Sequence, residues 1–387
     1  MTILGIFLIN QIRTGGDRRY LELLELLASR GNKVFVIMNR YFNYSPNYIT
    51  KIEIPVKYTR HQFPPASYLF KKAVKKLLKK IIEEVKFIDF IHIHGDIYLK
   101  TAIFIKKNIN KPLFYACRNN DIDRDRVIRS SGYLKISEYL FFLLYEQINK
   151  YRERQISKYA EIITFQSIID RDIYCRRTNT PLSKIMIIPG NIGLPRCKET
   201  WKYKNTSQSL KNIVFSGGLT ISKGILLLPK ILSCLKSKGY GNIHCIILGR
   251  DEFPLLHKYI ANYNVSEMIT LAGYVDPFPY LVNNDLYLYP ALYDAYPDSV
   301  LEALHAGCPV LASAVGGLSE MLLYPELLFE PNNIDQIVNK IEQCIINPSF
   351  YKKIKELCIE RAKNHHFDWA EKFEKAMMDY LAKKNNA

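Results

Sequence analysis

Short apolar segments alternate with longer amphipathic stretches along almost the whole 387-residue chain. The first half contains ILGIFLI, KVFVIM, FIHIH, LFYAC, EIITFQ and IMIIP. The second half contains IVFSGG, IHCIILG, ITLAGY, DLYLYP, PVLAS and LLFEP. Nearly continuous apolar strands separated by helices are typical of parallel sheets that are buried on both faces. The pattern therefore predicts an α/β protein with doubly wound parallel sheets.

The polar segment RCKETWKYKNTSQSLKN interrupts this pattern near the middle of the chain. Because a domain usually has ~100–200 residues, the length also favours two domains. We predict a Rossmann-like domain over 1–195, a linker over 196–211 and a second Rossmann-like domain over 212–365. Residues 366–387 should form a helix that packs back on the first domain. In such a pair, ligands bind at the carboxyl ends of the strands, in the cleft between the domains.

The composition describes a basic globular protein, with 48% apolar residues, 24% charged residues and a net charge of +17. Such a charge favours an anionic partner, which could be nucleic acid, phospholipid or a phosphorylated small molecule. The sequence contains no zinc-finger spacing, RNP-like aromatic motif or recognisable helix-turn-helix, so a nucleic-acid-binding protein is the weaker interpretation. Charge alone does not choose among the other partners.

The eight cysteines are scattered, with neither a CxxC pair nor a histidine cluster at ligand spacing. This distribution favours neither a zinc site nor a disulfide framework, and it indicates a reducing compartment. The start, MTILGIFLIN, lacks the features of a signal peptide, and no apolar run approaches the ~20 residues needed to span a bilayer. We expect a cytoplasmic protein whose membrane contact is at most peripheral, at the inner face of the plasma membrane.

Neither a P-loop nor a G-x-G-x-x-G motif follows the apolar segments, but two glycine pairs do. Gly15 and Gly16 open an amphipathic helix after the first predicted strand. In the second half, a pair ending at Gly218 is followed by Lys223 just before a helix. A helix N-terminus attracts anions, and a lysine can reach a diphosphate. The alternative is an ordinary tight turn with a solvated lysine.

Two carboxylates stand out in YDAYPDSVLEALHAGCPVLASAVGG, which covers residues 293–317. Asp294 precedes a predicted helix, and Glu302 lies eight positions later within it. A carboxylate can accept two hydrogen bonds from neighbouring hydroxyls. A helix cap and a helix-face charge are the structural alternatives, although the apolar neighbours of Glu302 make the second less suitable.

Together these segments resemble the retaining glycosyltransferases of family 4, which have the GT-B architecture of two facing Rossmann-like domains with a cleft between them. The segments that carry the resemblance are the first glycine turn, VFSGGLTISKG, IILGRD, LAGYV, NNDLYLYP and 293–317. The resemblance implies that the second domain binds a nucleotide-sugar donor and the first binds the acceptor. It implies that Asp294 contacts the donor sugar, Glu302 the ribose and Lys223 the diphosphate, with Lys223 and Asp294 at opposite ends of the donor.

The resemblance also implies residue sets for each role. Those implied for the donor site are Gly16, Gly218, Lys223, Arg250, Asp294, Ser299, Val300 and Glu302. Those implied for the acceptor site are Gly15, His94, Arg118 and Asp121. Those implied for catalysis are Lys223, Asp294 and Arg118.

Three positions depart from the family pattern. Asp294 stands where the family usually has glutamate, and Gly218 stands where it usually has an arginine. Arg250 is a candidate substitute for that arginine. Arg118 stands where members often have a histidine, and a guanidinium can bind an anion but cannot act as a base near neutral pH. His94 is a second candidate for the cleft or a structural strand-end histidine.

The resemblance implies a reaction on one face of the sugar, in which the leaving diphosphate helps to deprotonate the acceptor and no metal or other cofactor is required. The sequence DIDRDR at 121–126 offers a competing interpretation, because an Asp-x-Asp unit binds a divalent metal in GT-A glycosyltransferases. Since arginines alternate with these aspartates, we predict a salt-bridged loop on the acceptor side instead.

The segment FKKAVKKLLKKIIEEVKF predicts a helix whose lysines, between Lys71 and Lys80, share one face. This face could contact an anionic membrane, or it could be solvated while the other face packs on the domain. Membrane contact would favour a lipid-linked acceptor over a free saccharide, as in the biosynthesis of a surface polysaccharide or lipopolysaccharide. A nucleotide-sugar epimerase of the same architecture is the alternative enzyme.

Overall fold

The computed structural model describes residues 1–12, 14–57, 66–85, 87–118, 120–192 and 210–385. Contacts divide the chain into two compact units. Unit 1 comprises Met1–Asn120, Tyr145–Pro189 and Asp368–Ala387, and unit 2 comprises Asp121–Leu144 and Gly190–Phe367. Residues 121–144, which the sequence division assigns to the first domain, therefore belong to unit 2. The predicted linker lies almost entirely outside the described residues.

Each of the twelve predicted apolar segments contains a strand, and the described residues contain one further strand that was not predicted. In unit 1 the strands are β1 (Thr2–Phe7), β2 (Lys33–Asn39), β3 (Thr50–Ile54), β4 (Phe90–His94), β5 (Leu113–Ala116), β6 (Ile162–Phe165) and β7 (Ile185–Ile187). In unit 2 they are β8 (Asn212–Ser216), β9 (His244–Leu248), β10 (Ile269–Gly273), β11 (Leu286–Tyr289), β12 (Val310–Ser313) and β13 (Leu328–Phe329). The additional strand, β3, has the half-polar sequence TKIEI.

The two sheets share one topology. Unit 1 has the strand order β3-β2-β1-β4-β5-β6-β7, and unit 2 has the order β10-β9-β8-β11-β12-β13. All described strand pairs are parallel. In each sheet the chain moves outward from its first strand and then returns to that strand's other side. Ligands bind at the carboxyl ends of the strands beside such a switch point, which here lies between β1 and β4 and between β8 and β11.

Helices cover both sheets. The first eight are α1 (Gly15–Ser29), α2 (Ala66–Lys76), α3 (Leu78–Val85), α4 (Leu99–Ile109), α5 (Asp121–Ser130), α6 (Ile136–Tyr159), α7 (Ile168–Thr178) and α8 (Leu227–Ser237). The others are α9 (Pro254–Asn262), α10 (Phe278–Asn283), α11 (Asp298–His305), α12 (Leu318–Leu322), α13 (Ile334–Ile346), α14 (Pro348–Asn364) and α15 (Trp369–Asn385). None of these described helices is both long enough and apolar enough to cross a bilayer.

The lysine-rich segment differs from its prediction, because the single expected helix is two helices, α2 and α3, that meet at Leu77. Val74 and Ile81 are buried in the core, whereas Lys71 and Lys75 are exposed. The apolar side of this segment therefore packs on unit 1. The lysines of this segment whose side chains the structure describes are exposed to solvent, which leaves the predicted membrane contact untested.

Candidate functional site

The turn after β8 places Lys223 at the switch point of unit 2. A short 3-10 turn ends at Lys223, and Gly224 follows with a left-handed φ of 70°. The carbonyl of Ser222 accepts hydrogen bonds from the two backbone N–H groups at 292 and 293, at 2.8 and 3.0 Å. A Cβ atom on Gly224 would lie 1.7 Å from the carbonyl oxygen of Pro290. Glycine at 224 therefore lets this turn lie directly on the loop that follows β11.

That loop carries Asp294, whose carboxylate forms an ion pair with the Lys223 ammonium group. The hydroxyl of Tyr289 donates a hydrogen bond to the same carboxylate oxygen at 2.6 Å. The Asp294 side chain is only 5% exposed, compared with 27% for Lys223. At Gly316, which has a φ of 48°, a Cβ would lie 2.0 Å from the Asp294 carbonyl oxygen. The carboxylate is therefore held by buried neighbours, and the ammonium is the more accessible member of the pair.

This pairing differs from the sequence expectation that Lys223 and Asp294 stand at opposite ends of a donor, because the two side chains are in direct contact. The physical reason is that the glycine turn brings the lysine onto the β11 loop. An anion that binds Lys223 must therefore compete with a resident carboxylate.

Two tyrosines of β11, which the sequence reasoning missed, support this cluster. Tyr287 and Tyr289 stack with ring centroids 6.0 Å apart, and Tyr289 also stacks on Phe215 at 5.7 Å. The Tyr287 hydroxyl donates to the carbonyl of Ser216 at 3.0 Å. Their signal in the sequence is the alternation in DLYLYP, since residues two apart on a strand share a face.

Helix α11 contributes the other predicted donor residues. Burial raises the pKa of Tyr287, and nearby Glu302 also raises it, while a hydrogen bond with Ser299 lowers it. Ser299 and Glu302 are half-buried. Val300 is fully buried in the core, so only its backbone N–H, in the first turn of α11, remains suitable for contact with a ligand. The structure therefore brings Ser299 and Glu302 to the tyrosines that also support Asp294.

Helix α5 lies against the 221–223 turn within unit 2. Its Arg124 pairs with Asp121 at 2.6 Å and with Asp125 at 2.7 Å. Although burial lowers it, these two carboxylates and Tyr293 raise the pKa of Arg124 above its ordinary value. Arg124 therefore lies close to the residue that precedes Asp294, a proximity that the sequence did not indicate.

The predicted salt bridges around the Asp-x-Asp unit are confirmed, but the predicted loop is wrong because these residues form a helix. Asp121 and Asp123 are two positions apart on that helix, so their side chains point in different directions. Each pairs with an arginine three residues further on. Among the described residues, no three His, Cys, Asp or Glu side chains are arranged to hold a metal ion. Asp121, predicted for the acceptor site, belongs to unit 2.

In unit 1 the predicted residues Gly15, Gly16 and Arg118 meet at the start of α1. Thr14 and Asp17 form a reciprocal capping box there. The Arg118 guanidinium donates to an Asp17 carboxylate oxygen at 2.8 Å and also to the Thr14 hydroxyl. A Cβ on Gly16 would lie 2.3 Å from Arg118 Nη2, so glycine is needed for the guanidinium to rest there. The helix N-terminus that we expected to bind an anion is therefore covered by side chains of the protein.

His94 ends β4 beside this cluster and is 4% exposed. Burial holds its pKa well below the usual range, and the charges of Arg118 and Arg19 lower it further. A backbone hydrogen bond with Gly16 acts in the opposite direction and raises the pKa. His94 therefore stays neutral near pH 7, in a position that suits the structural interpretation better than direct ligand contact.

The remaining predicted donor residues follow β8 and β9. Gly218 is exposed in the turn after β8. Arg250 is exposed just beyond β9, with its guanidinium 4.8 Å from the centroid of the Tyr274 ring. Stacking on an aromatic ring holds the guanidinium in a defined place, and its role as a substitute for the missing arginine remains a prediction.

Residues 198–365 match the model of the family described as "Glycosyl transferases group 1". An uncharacterized glycosyltransferase from Haemophilus influenzae is 23% identical over 373 residues, which cover 92% of this chain and 94% of that protein. An uncharacterized glycosyltransferase from Methanocaldococcus jannaschii, MJ1059, is 26% identical over 192 residues. That match covers 48% of this chain and 47% of the relative, so it spans about half of each.

Solved structures resemble nearly the whole chain. Sucrose-phosphate synthase from Thermosynechococcus elongatus has a TM-score of 0.76 at 17% identity, covering 99% of this chain and 100% of that one. Anabaena HepE in complex with UDP-glucose has a TM-score of 0.71 at 14% identity, covering 98% and 99%. WaaG, described as a glycosyltransferase involved in lipopolysaccharide biosynthesis, has a TM-score of 0.70 at 18% identity, covering 97% and 98%.

The two parallel-sheet units and these structural neighbours show that the protein has the predicted two-domain, Rossmann-like GT-B fold. The match to the family model, which covers the C-terminal part, supports the superfamily of group 1 glycosyltransferases. The epimerase and nucleic-acid alternatives receive no support from these matches.

Proposed function

We propose that the protein is a retaining glycosyltransferase of family 4. It would move a sugar from a nucleotide-sugar donor to a saccharide or lipid-linked acceptor during biosynthesis of a cell-surface polysaccharide or lipopolysaccharide. The observation that carries the proposal is the cluster of Lys223, Asp294 and Tyr289 at the switch point of unit 2, inside the segment that matches the glycosyltransferase family. The structural neighbours HepE, in complex with UDP-glucose, and WaaG, a glycosyltransferase involved in lipopolysaccharide biosynthesis, support the donor class and the pathway.

The paired state of Lys223 suggests how a donor would bind. A diphosphate carries more negative charge than one carboxylate, so it can draw the ammonium away from Asp294. The Asp294 carboxylate, still accepting a hydrogen bond from Tyr289, can then accept hydrogen bonds from sugar hydroxyls. Glu302 would take the ribose hydroxyls, and the N–H groups at the start of α11 would add a positive partial charge.

In the transfer step, the bond between the anomeric carbon and the diphosphate oxygen breaks while the acceptor oxygen bonds to that carbon on the same face. The acceptor proton passes to the leaving diphosphate, so no protein nucleophile is needed. Lys223 stabilises the negative charge that grows on the diphosphate. We propose that no metal or other cofactor takes part, and we expect turnover to survive EDTA. Activity lost on chelation and restored by manganese would contradict this.

Donor binding provides the direct test of this function. We expect one of the UDP-, GDP- or ADP-sugars to raise the melting temperature, since a ligand at ~100 times its Kd adds ~2.7 kcal/mol of stability. For that donor, Glu302→Ala should weaken nucleotide binding by roughly 5- to 150-fold, because ribose hydroxyls lose a half-buried acceptor.

The exposed Glu330→Ala variant is the matched control for Glu302 and should bind as the wild type does. Unchanged affinity in Glu302→Ala would refute the ribose assignment. A donor that is epimerised in the absence of any acceptor would instead favour the epimerase alternative.

A further inference from the structure

The first half of α6 exposes an unusual concentration of apolar side chains. Residues 136–144, which we call the apolar arm, belong to unit 2. Six of these nine residues are large, apolar and exposed: Ile136, Tyr139, Leu140, Phe141, Leu143 and Leu144. The most exposed are Ile136 at 82% and Leu144 at 71%. Elsewhere in the described part of the chain, and outside α6, exposed large apolar residues occur singly or in adjacent pairs along the sequence.

The exposed side chains are not confined to one face of the helix. Successive residues of an α-helix are rotated by about 100°, so Tyr139, Leu140 and Phe141 together span roughly 200° of its circumference. A helix that packs on a protein needs an apolar stripe only about 100° wide. Apolar surface on so much of a helix is suited to a surrounding hydrocarbon medium.

The dimensions and flanking residues of the arm agree with shallow insertion into a lipid bilayer. Residues 139–144 contain no charge. Interfacial helices enter a membrane by ~5–10 Å, a depth that would cover an apolar helix of ~10–12 Å diameter to half its thickness or more. Arg129 and Lys135 precede the arm within unit 2, and Lys135 is exposed. Arg129 lies 5.8 Å from the centroid of the Tyr139 ring. The net charge of the chain is +17, and anionic lipid headgroups attract positively charged proteins.

We infer that the apolar arm inserts into the interface of an anionic lipid bilayer. This surface is distinct from the lysine face of α2, whose apolar side is already packed on unit 1. Docking through the arm would bring the enzyme to a lipid-linked acceptor, and in that respect the inference rests on the proposed function. Vesicle binding measured without donor or acceptor keeps the two ideas separate.

The test compares two triple variants. Leu140→Gln, Phe141→Gln and Leu144→Gln together remove apolar surface from the arm while keeping good helix formers. Lys71→Gln, Lys72→Gln and Lys75→Gln together remove charge from α2 and serve as the matched control. Flotation with phosphatidylcholine vesicles containing 30% phosphatidylglycerol measures partition. We expect the wild type to float, the arm variant to partition about 100-fold less, and the lysine variant to change far less.

Further measurements distinguish loss of membrane binding from misfolding and from self-association. The arm variant should keep its melting temperature and its stabilisation by the donor, because the substituted side chains are exposed. Phe141→Trp, measured against the two natural tryptophans, should shift its emission to the blue when vesicles are added. Equal flotation of the wild type and the arm variant would overturn the inference. So would a wild-type dimer that becomes a monomer in the arm variant without vesicle binding, because a second copy of the chain would then cover the arm.

Discussion

Unit 1 and unit 2 each place a cation–carboxylate pair beside a glycine turn at the switch point of a parallel sheet, but the pairs are built in opposite ways. In unit 2 the cation, Lys223, stands on the turn itself, and a neighbouring strand supplies a buried carboxylate, Asp294. In unit 1 the carboxylate, Asp17, belongs to the helix that the turn opens, and the cation, Arg118, follows β5, which is separated from β1 by β4.

The difference indicates which pair can open. Asp294 keeps a hydrogen bond from Tyr289 when Lys223 leaves, so its carboxylate remains supported. Asp17 is part of the capping box of α1, and Arg118 rests on Gly16. Displacing Arg118 would therefore expose a helix end that side chains now satisfy. We interpret the unit 2 pair as the one that rearranges for a charged ligand and the unit 1 pair as a fixed surface that offers a guanidinium to the acceptor.

The largest expected effect separates the two cations. If Lys223 stabilises charge that develops on the diphosphate, Lys223→Ala should lower kcat by about 100- to 1000-fold and change KM for the donor less. Arg118→Ala should act mainly on KM for the acceptor. Initial rates with both substrates varied provide the measurement, and Lys230→Ala, exposed on α8, is the control. Equal losses of kcat in the two variants would remove the proposed division of roles.

The sequence predicted the strands and helices of each unit better than the contacts that these elements make within the unit. Every predicted apolar run contains a strand, and the pattern is clearest for the central strands, whose two faces are buried. β3 was missed because it is an edge strand whose residues alternate between exposed and buried. The break between α2 and α3 at Leu77 was missed because the apolar residues and the lysines keep the same helical spacing on both sides of it. That spacing is equally compatible with one continuous helix.

The family resemblance supplied the candidate site residues one by one, and their roles stay predictions, but it did not indicate which of them pair. Lys223 and Asp294 are 71 residues apart, and Arg118 and Asp17 are 101 apart. Contacts over such separations depend on the strand order, which a single sequence does not specify. The tyrosines of β11 have a period-two signal, but that signal equally describes a buried strand that has no function.

The second prediction tests whether the Lys223 turn depends on close backbone contact. Gly224→Ala and Gly239→Ala both place a side chain at a left-handed φ, 70° and 92°, but only Gly224 has a carbonyl oxygen where the Cβ would be. We expect the free energy of unfolding to fall by about 1–3 kcal/mol more in Gly224→Ala, with donor affinity lost as the turn shifts. Urea unfolding and donor titration measure both effects. Equal destabilisation by the two variants would mean that the turn can move without cost.

The third prediction concerns a buried histidine in the sheet of unit 1. His92 lies fully buried in β4, neither ring nitrogen has a hydrogen-bond partner in the described structure, and burial lowers its pKa to about 3. Because an unfolded histidine has a pKa near 6.5, the unfolded state takes up a proton below that pH that the folded state does not. Stability contributed by His92 is therefore complete above pH 6.5 and falls toward pH 3, by about 2 kcal/mol at pH 5.

His92→Phe should remove this part of the pH dependence, since three aromatic rings already surround the site. Urea unfolding at pH 7.5 and pH 5 measures the slope. His257→Gln, in which an exposed histidine of unit 2 is replaced, is the control. Identical slopes in the wild type and His92→Phe would show that the acid sensitivity does not originate at His92.

The smallest expected effect tests whether the unit 2 pair opens for the donor. Asp294→Asn keeps the size of the side chain and an acceptor oxygen but removes the charge that holds Lys223. A free nucleoside diphosphate would then bind without displacing a carboxylate, so its affinity should rise by about five-fold, corresponding to ~1 kcal/mol for a partly exposed pair. Discrimination among donor sugars should weaken at the same time, because sugar hydroxyls lose a charged acceptor.

Asp17→Asn, the equivalent change in unit 1, is the control and should leave diphosphate affinity and sugar discrimination unchanged. Calorimetric titration with the free diphosphate and with the intact sugar nucleotide compares the variants. If Asp294→Asn binds both ligands more weakly, the Asp294 carboxylate positions Lys223 for the diphosphate and does not compete with the diphosphate for Lys223.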